Sequence, residues 1–138
     1  PVRVVVRLYT DDDAFVDFYN DLDAELEYPV DVLDNWLSQA KEFNAHNPWI
    51  HHGMPLHRCR ERGLSNRLFD ILDEHPLGKD EIVEFCQLLF DYSPQDDEVN
   101  WQDFCWHVKI AQEDEAPTWN PIARQLAPWI NVALLEKM

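Results

Sequence analysis

One segment of this chain alternates as a β-strand must, and no other segment matches it in strength. In "VRVVVRLY" the residues Val2, Val4, Val6 and Leu8 share one side, and Arg3, Val5, Arg7 and Tyr9 share the other. Period-two alternation with β-branched side chains specifies a half-buried strand. A strand on its own leaves backbone donors and acceptors without partners. The chain must therefore draw a second strand from a weaker segment, or pair with another molecule. "LEYPV", part of "MPLHRCR" and a second copy of the chain each meet that need.

The remainder reads as helix. Thr10 is placed to cap a helix whose first turn carries Asp11, Asp12 and Asp13, where carboxylates meet the positive end of the helix dipole. Phe15, Phe18, Tyr19, Leu22 and Leu26 recur at helical spacing and form its expected buried face. Pro29 interrupts. Asp31 then caps a second helix, with Leu33, Trp36, Leu37, Ala40 and Phe43 inward. "HNPWIHHGMPLHRCRERG" reads as an irregular middle section. Ser65 caps a short helix through Glu74, carrying Leu68, Phe69 and Leu72. Asp80 opens another, with Ile82, Phe85, Cys86, Leu89 and Phe90 inside. Asn100 with Asp103 resembles a capping box ahead of Trp101, Phe104, Cys105 and Val108. Asn120 and Pro121 suit the start of a last helix, which Pro128 kinks or restarts. The expected fold class is mainly α (α+β): about six helices in one compact domain over residues 1–138, with a short N-terminal β-strand.

Charge narrows the function. Between Tyr9 and Ala40 there are ten carboxylates and no Lys or Arg, and the whole chain carries −16. On the first helix Asp13, Asp17 and Asp21 lie opposite the apolar arc, with Asp12 and Asp23 beside them. Four helical steps separate neighbours in that row by about 6 Å. Each like-charge pair costs about 0.2–0.5 kcal/mol, little against a total stability of about 5–15 kcal/mol. A second acidic tract holds Asp91, Asp96, Asp97, Glu98 and Asp103, followed by Glu113, Asp114 and Glu115. Such a field opposes direct nucleic-acid binding through phosphate neutralisation and adhesion to anionic membranes. It suits a solvated face that keeps the chain in solution, or a surface offered to a basic protein partner. Three glycines provide no phosphate-binding loop, and the acidic runs lack EF-hand spacing. Exposed carboxylates also lack the raised pKa that a glycosidase acid requires.

The middle section clusters His46, His51, His52, His57 and Cys59, all of them zinc-ligand types. They support an alternative: a zinc-binding domain or small metal-dependent enzyme using residues 46–59. No HExxH and no second nearby cysteine accompany them, so the plainer reading has them covering the helical core. A Cys59–His57 nucleophile pair is the weakest option. Arg58, Arg60, Arg62 and Arg67 are expected to pair with the chain's own carboxylates. Trp36, Trp49, Trp101, Trp106, Trp119 and Trp129 are mostly core by position, but an exposed Trp119 beside Glu113 to Glu115 would make an interface anchor. Cys86 and Cys105 read as inert core thiols, and an odd count of three cysteines suits a reduced cytoplasmic setting.

The expected function is non-enzymatic. It is that of an acidic protein-binding factor, of the inhibitor or immunity (anti-defence) type. It would block a basic, nucleic-acid-binding surface, such as that of a nuclease, by charge mimicry of nucleic acid. Its contact residues are Asp12, Asp13, Asp17, Asp21 and Asp23, then Asp96, Asp97 and Glu98. No catalytic residue, metal, cofactor or membrane partner is expected. An accessory subunit of a larger assembly, recruited through the N-terminal strand, is a further alternative, and a homodimer is compatible with it.

Overall fold

The strand finds its partner inside the chain. The computed structural model describes residues 4–10, 12–25, 30–33, 35–64, 66–90 and 100–138, apart from the side chains at positions 20, 23, 24, 30 and 31. Strand β1 (Val4–Arg7) leads into helix α1 (Asp13–Glu25) and then strand β2 (Val30–Leu33). The strands are parallel, with Val4 opposite Val30 and Arg7 opposite Leu33. The Leu8 N–H extends the ladder to the Leu33 carbonyl at 2.7 Å. A parallel pair requires a crossover, and α1 provides it. The second strand thus starts at the last residue of "LEYPV" and runs on from there. "MPLHRCR" is helix instead.

This corrects the expected start of the second helix. Val30, Val32 and Leu33 extend as strand, so Asp31 is a strand residue and not a cap. Helix α2 (Trp36–His46) begins later, where Asn35 accepts from the Ser38 N–H at 3.0 Å. Leu37 is exposed, whereas Ala40 and Phe43 face the core as expected.

The middle section is also more regular than its sequence implies. Gly53 ends a short extended stretch, and α3 (Met54–Glu61) follows with Pro55 in its first turn, where a missing N–H costs nothing. Helix α4 (Arg67–Ile71) is capped by Asn66, and Ser65 lies outside the described residues. Helices α5 (Lys79–Phe90) and α6 (Trp101–Ala111) pack together. Asn100 caps α6 by accepting from Gln102 and Asp103.

The C-terminal region departs furthest from expectation. In place of a helix from Asn120, a hairpin forms from β3 (Thr118–Asn120) and β4 (Gln125–Ala127). Asn120 does cap a turn, accepting from the Ile122 and Ala123 N–H groups. Arg124 then enters the left-handed region at φ 54°, which reverses the chain before a helix can propagate. The last helix is one turn, α7 (Val132–Leu135), capped by Asn131. Seven α-helices thus lie among the described residues.

The main core draws on α2 to α7. Phe43, Trp49, Ile50, Leu56, Leu68, Leu72, Ile82, Phe85, Phe104, Ile130 and Leu135 are almost fully buried there. Cys86 and Cys105 sit among them, and burial pushes both thiols up, as befits inert core cysteines. Buried Asn47 ties the core's ends together. Its amide donates to the carbonyls of Leu72 (2.7 Å) and His75 (2.9 Å). Its oxygen accepts from Trp49 Nε1 (3.1 Å) and the Leu77 N–H (2.9 Å).

Candidate functional site

Helix α1 carries the acidic row that the sequence singles out. Its cap is Asp12, whose Oδ1 accepts from the Ala14 and Phe15 N–H groups, while Thr10 accepts from Asp12. Asp13, Asp17 and Asp21 all lie exposed, one turn apart. Among the described residues, no ion pair involves Asp12, Asp13, Asp17 or Asp21. The Asp23 side chain, and Asp96, Asp97 and Glu98 entirely, lie outside the described residues, as does Leu26. The remaining acids of the second tract, Asp103, Glu113, Asp114 and Glu115, are exposed.

The apolar arc of α1 differs from expectation. Phe15 and Phe18 are 49% and 59% exposed, whereas Val16, Tyr19 and Leu22 are partly covered. Val16 is as covered as the expected inward residues, and the two phenylalanines stand open. Phe15 and Phe18 still hold each other in place through Tyr19, with ring centroids at 5.2 and 5.4 Å. Phe18 borders the carboxylate row, three residues before Asp21, whereas Phe15 lies on the far side of the helix from it.

Three of the four arginines of the basic island pair as expected, and exposed Arg62 makes no ion pair among the described residues. Arg58 pairs with Glu61, Arg60 with Asp73 and Arg67 with Glu81. Arg7 also reaches Glu61, tying β1 to α3. Buried Arg60 donates to Gln39 Oε1 at 2.8 Å and lies over the Phe43 ring. None of these pairs involves a carboxylate of the α1 row.

The histidines form a line, not a cage. His52 Nε2 lies 3.2 Å from His57 Nδ1, and His57 Nε2 lies 3.5 Å from Glu61 Oε1. One tautomer assignment fits both contacts. His52 donates to His57, and His57 turns its remaining N–H toward the carboxylate. The opposite assignment would set two lone pairs against each other at Glu61. Burial, helped by the nearby His57, Arg60 and His51 charges, lowers the His52 pKa to about 3. Burial likewise lowers that of His57, against the pull of Glu61. His51 points elsewhere, with Nε2 on the Thr118 hydroxyl at 2.7 Å. Among the described residues, no three His, Cys, Asp or Glu side chains converge on a point that would hold a metal ion. His57 and Cys59 are two residues apart on α3 and so face different ways. The nucleophile pair is therefore not assembled.

A cleft of about 670 Å³ opens between α6, the hairpin and α7. Most of its polar groups hold their own backbone. Gln112 clamps Ile130, donating to its carbonyl at 3.2 Å and accepting from its N–H at 3.0 Å. Asn120 and Asn131 serve as caps. Lys109 and Glu136 lie exposed at the cleft. His51 lines the cleft, and its partner, the Thr118 hydroxyl, lies just behind that lining.

The tryptophans divide into two groups. Trp49 is buried, and Trp36, Trp101 and Trp129 are half-buried with each indole N–H on a backbone carbonyl. Trp106 and Trp119 are exposed, so four of the six are covered, and Trp119 takes the open position that the sequence allowed it. Comparison with known proteins found no matching family model, no matching curated protein and no matching solved structure.

Proposed function

We infer that this protein acts by binding, and that the α1 surface is its contact. Its partner is a protein with a cationic groove of the kind that holds a nucleic-acid backbone. The reading rests on one observation: Asp13, Asp17 and Asp21 form an exposed row that no cation of the described residues neutralises. The mechanism is electrostatic. A net charge of −16 draws a basic partner into encounter, and exposed Phe18 adds apolar contact beside Asp21 once it docks. Blocking such a groove inhibits its owner without any chemistry. The three free cysteines suit a reducing setting such as the cytoplasm.

The test is recovery of bound protein from the native host at graded ionic strength, with the wild type and with a variant carrying Asp13→Lys, Asp17→Lys and Asp21→Lys. Each reversal changes the charge by two, so the variant moves from −16 to −10. A basic partner should elute as salt rises, and the variant should fail to retain it. The recovered partner should lose its nucleic-acid binding when the wild-type protein is added. Equal retention by the variant at low salt would rule the α1 surface out.

A further inference from the structure

The β3–β4 hairpin has two unlike faces. Thr118, Asn120, Gln125 and Ala127 belong to the inner one, on which Thr118 meets His51 and the other three line the cleft. Trp119 and Leu126 are directly opposed across the strands, so their side chains share the outer face. They are 46% and 65% exposed.

A two-stranded hairpin of this length is marginal by itself, yet this one is fastened at both ends. Trp129 Nε1 donates to the Ala116 carbonyl ahead of β3. Gln112 clamps Ile130 after β4, and Ile130 also bridges Ile50. Gly53 completes the fastening. Its φ of −69° and ψ of 165° suit any residue, so conformation does not require glycine there. Space does: an added Cβ would lie 2.5 Å from Thr118 Oγ1. The molecule thus holds an aromatic–aliphatic pair rigidly toward water, where burial gains it nothing.

Charge identifies what covers it. Glu113, Asp114 and Glu115 precede the hairpin, exposed and in no ion pair among the described residues. The hairpin's own cation, Arg124, lies in its far turn. A second copy of the chain would bring another −16 to this surface. A guanidinium or ammonium group, by contrast, is attracted both to the carboxylates and to the indole face.

We propose that Trp119 and Leu126 dock a segment of a partner protein in which aliphatic side chains alternate with arginine or lysine. This surface is separate from α1 and does not depend on α1 binding anything. The probe is a synthetic peptide of alternating leucine and arginine, titrated into the isotope-labelled full chain while the indole N–H resonances are followed. The Trp119 resonance should shift and saturate, and should still do so in the Asp13→Lys, Asp17→Lys, Asp21→Lys variant. Trp119→Ala and Leu126→Ser, each checked for an unchanged far-UV spectrum, should weaken binding more than about tenfold. Three outcomes would overturn the proposal. One is a stationary Trp119 resonance. Another is an equal response to a leucine–glutamate peptide. The third is a Trp119 shift produced by concentrating the protein alone, which would make a second copy the occupant.

Discussion

Replacing Asn47 by alanine should cost more stability than any surface change on the same helix. The side chain makes four hydrogen bonds, using both amide protons and accepting twice at its oxygen. Alanine strands the Trp49 indole N–H, the Leu77 N–H and the carbonyls of Leu72 and His75. His75 is exposed and its bond only partly buried, so water can replace that one. The other three bonds are buried. A dry polar group without a partner costs about 1–3 kcal/mol, so three in the lower half of that range, at about 1–2 kcal/mol each, give roughly 3–6 kcal/mol. That is a large share of a domain's total of about 5–15 kcal/mol. The assay is urea unfolding followed by tryptophan fluorescence and by far-UV circular dichroism. Asn44→Ala, on an exposed position of α2, is the control and should stay within about 0.5 kcal/mol. Asn47→Asp sharpens the test. It keeps both acceptor contacts but turns a carboxylate oxygen toward two carbonyls. Its folded-state pKa is therefore raised, and its deficit relative to wild type should grow as pH rises from 5 to 7. A loss below about 1 kcal/mol for Asn47→Ala would refute the idea that these bonds are dry.

Two other expectations follow from the same interior. His52 has its pKa lowered from 6.5 to about 3, so only the unfolded chain takes up its proton between those values. Its contribution to stability is complete above pH 6.5 and is lost as pH falls toward 3, at up to about 1.4 kcal/mol per pH unit. Urea midpoints at pH 7 and pH 5 should show this loss in the wild type and a smaller one in His52→Gln; parallel behaviour would show that other groups carry it. Gly53→Ala should push the hairpin outward at a cost of about 1–3 kcal/mol. The double variant with Thr118→Ala should recover part of that loss, because the clashing oxygen is gone; strict additivity in unfolding measurements would speak against the close approach.

Some of this molecule was legible in its residues, for definable reasons. Asn100 announced α6 because an N-cap and an apolar period agree over many residues, and α5 followed the same logic. Cys86 and Cys105 were readable as core because they fall on those apolar faces. The arginine pairings followed from scarcity: few cations in a chain rich in carboxylates find partners nearby. The misses share a cause, which is that tertiary contacts decided between two local options. Val30 to Leu33 is too short for a strong pattern, and becomes strand because β1 needs a ladder partner. Asn120 caps equally well in a turn or a helix, and Arg124 at positive φ settles the matter. In α1 the period was right, but how far each apolar side chain is covered depends on what packs over it, and Phe15 and Phe18 stay open while Val16 is partly covered. Asn47 and Gly53 gave no local signal. Their roles arise from residues distant in sequence, at Leu77 and Thr118.

Among the described residues, the βαβ unit contributes nothing to the principal apolar cluster, whose members all come from α2 onward. It is moored instead by the Arg7–Glu61 pair, by Val5 against Gly63, and by Leu8 and Leu33. Local opening of this unit, at less than the full cost of unfolding, would carry the acidic helix with it while the interior stays intact. A ligand gripping α1 would also have to hold that part shut. The slower deuterium uptake of β1 and β2 on binding would record how much of the grip is spent on quieting the unit itself.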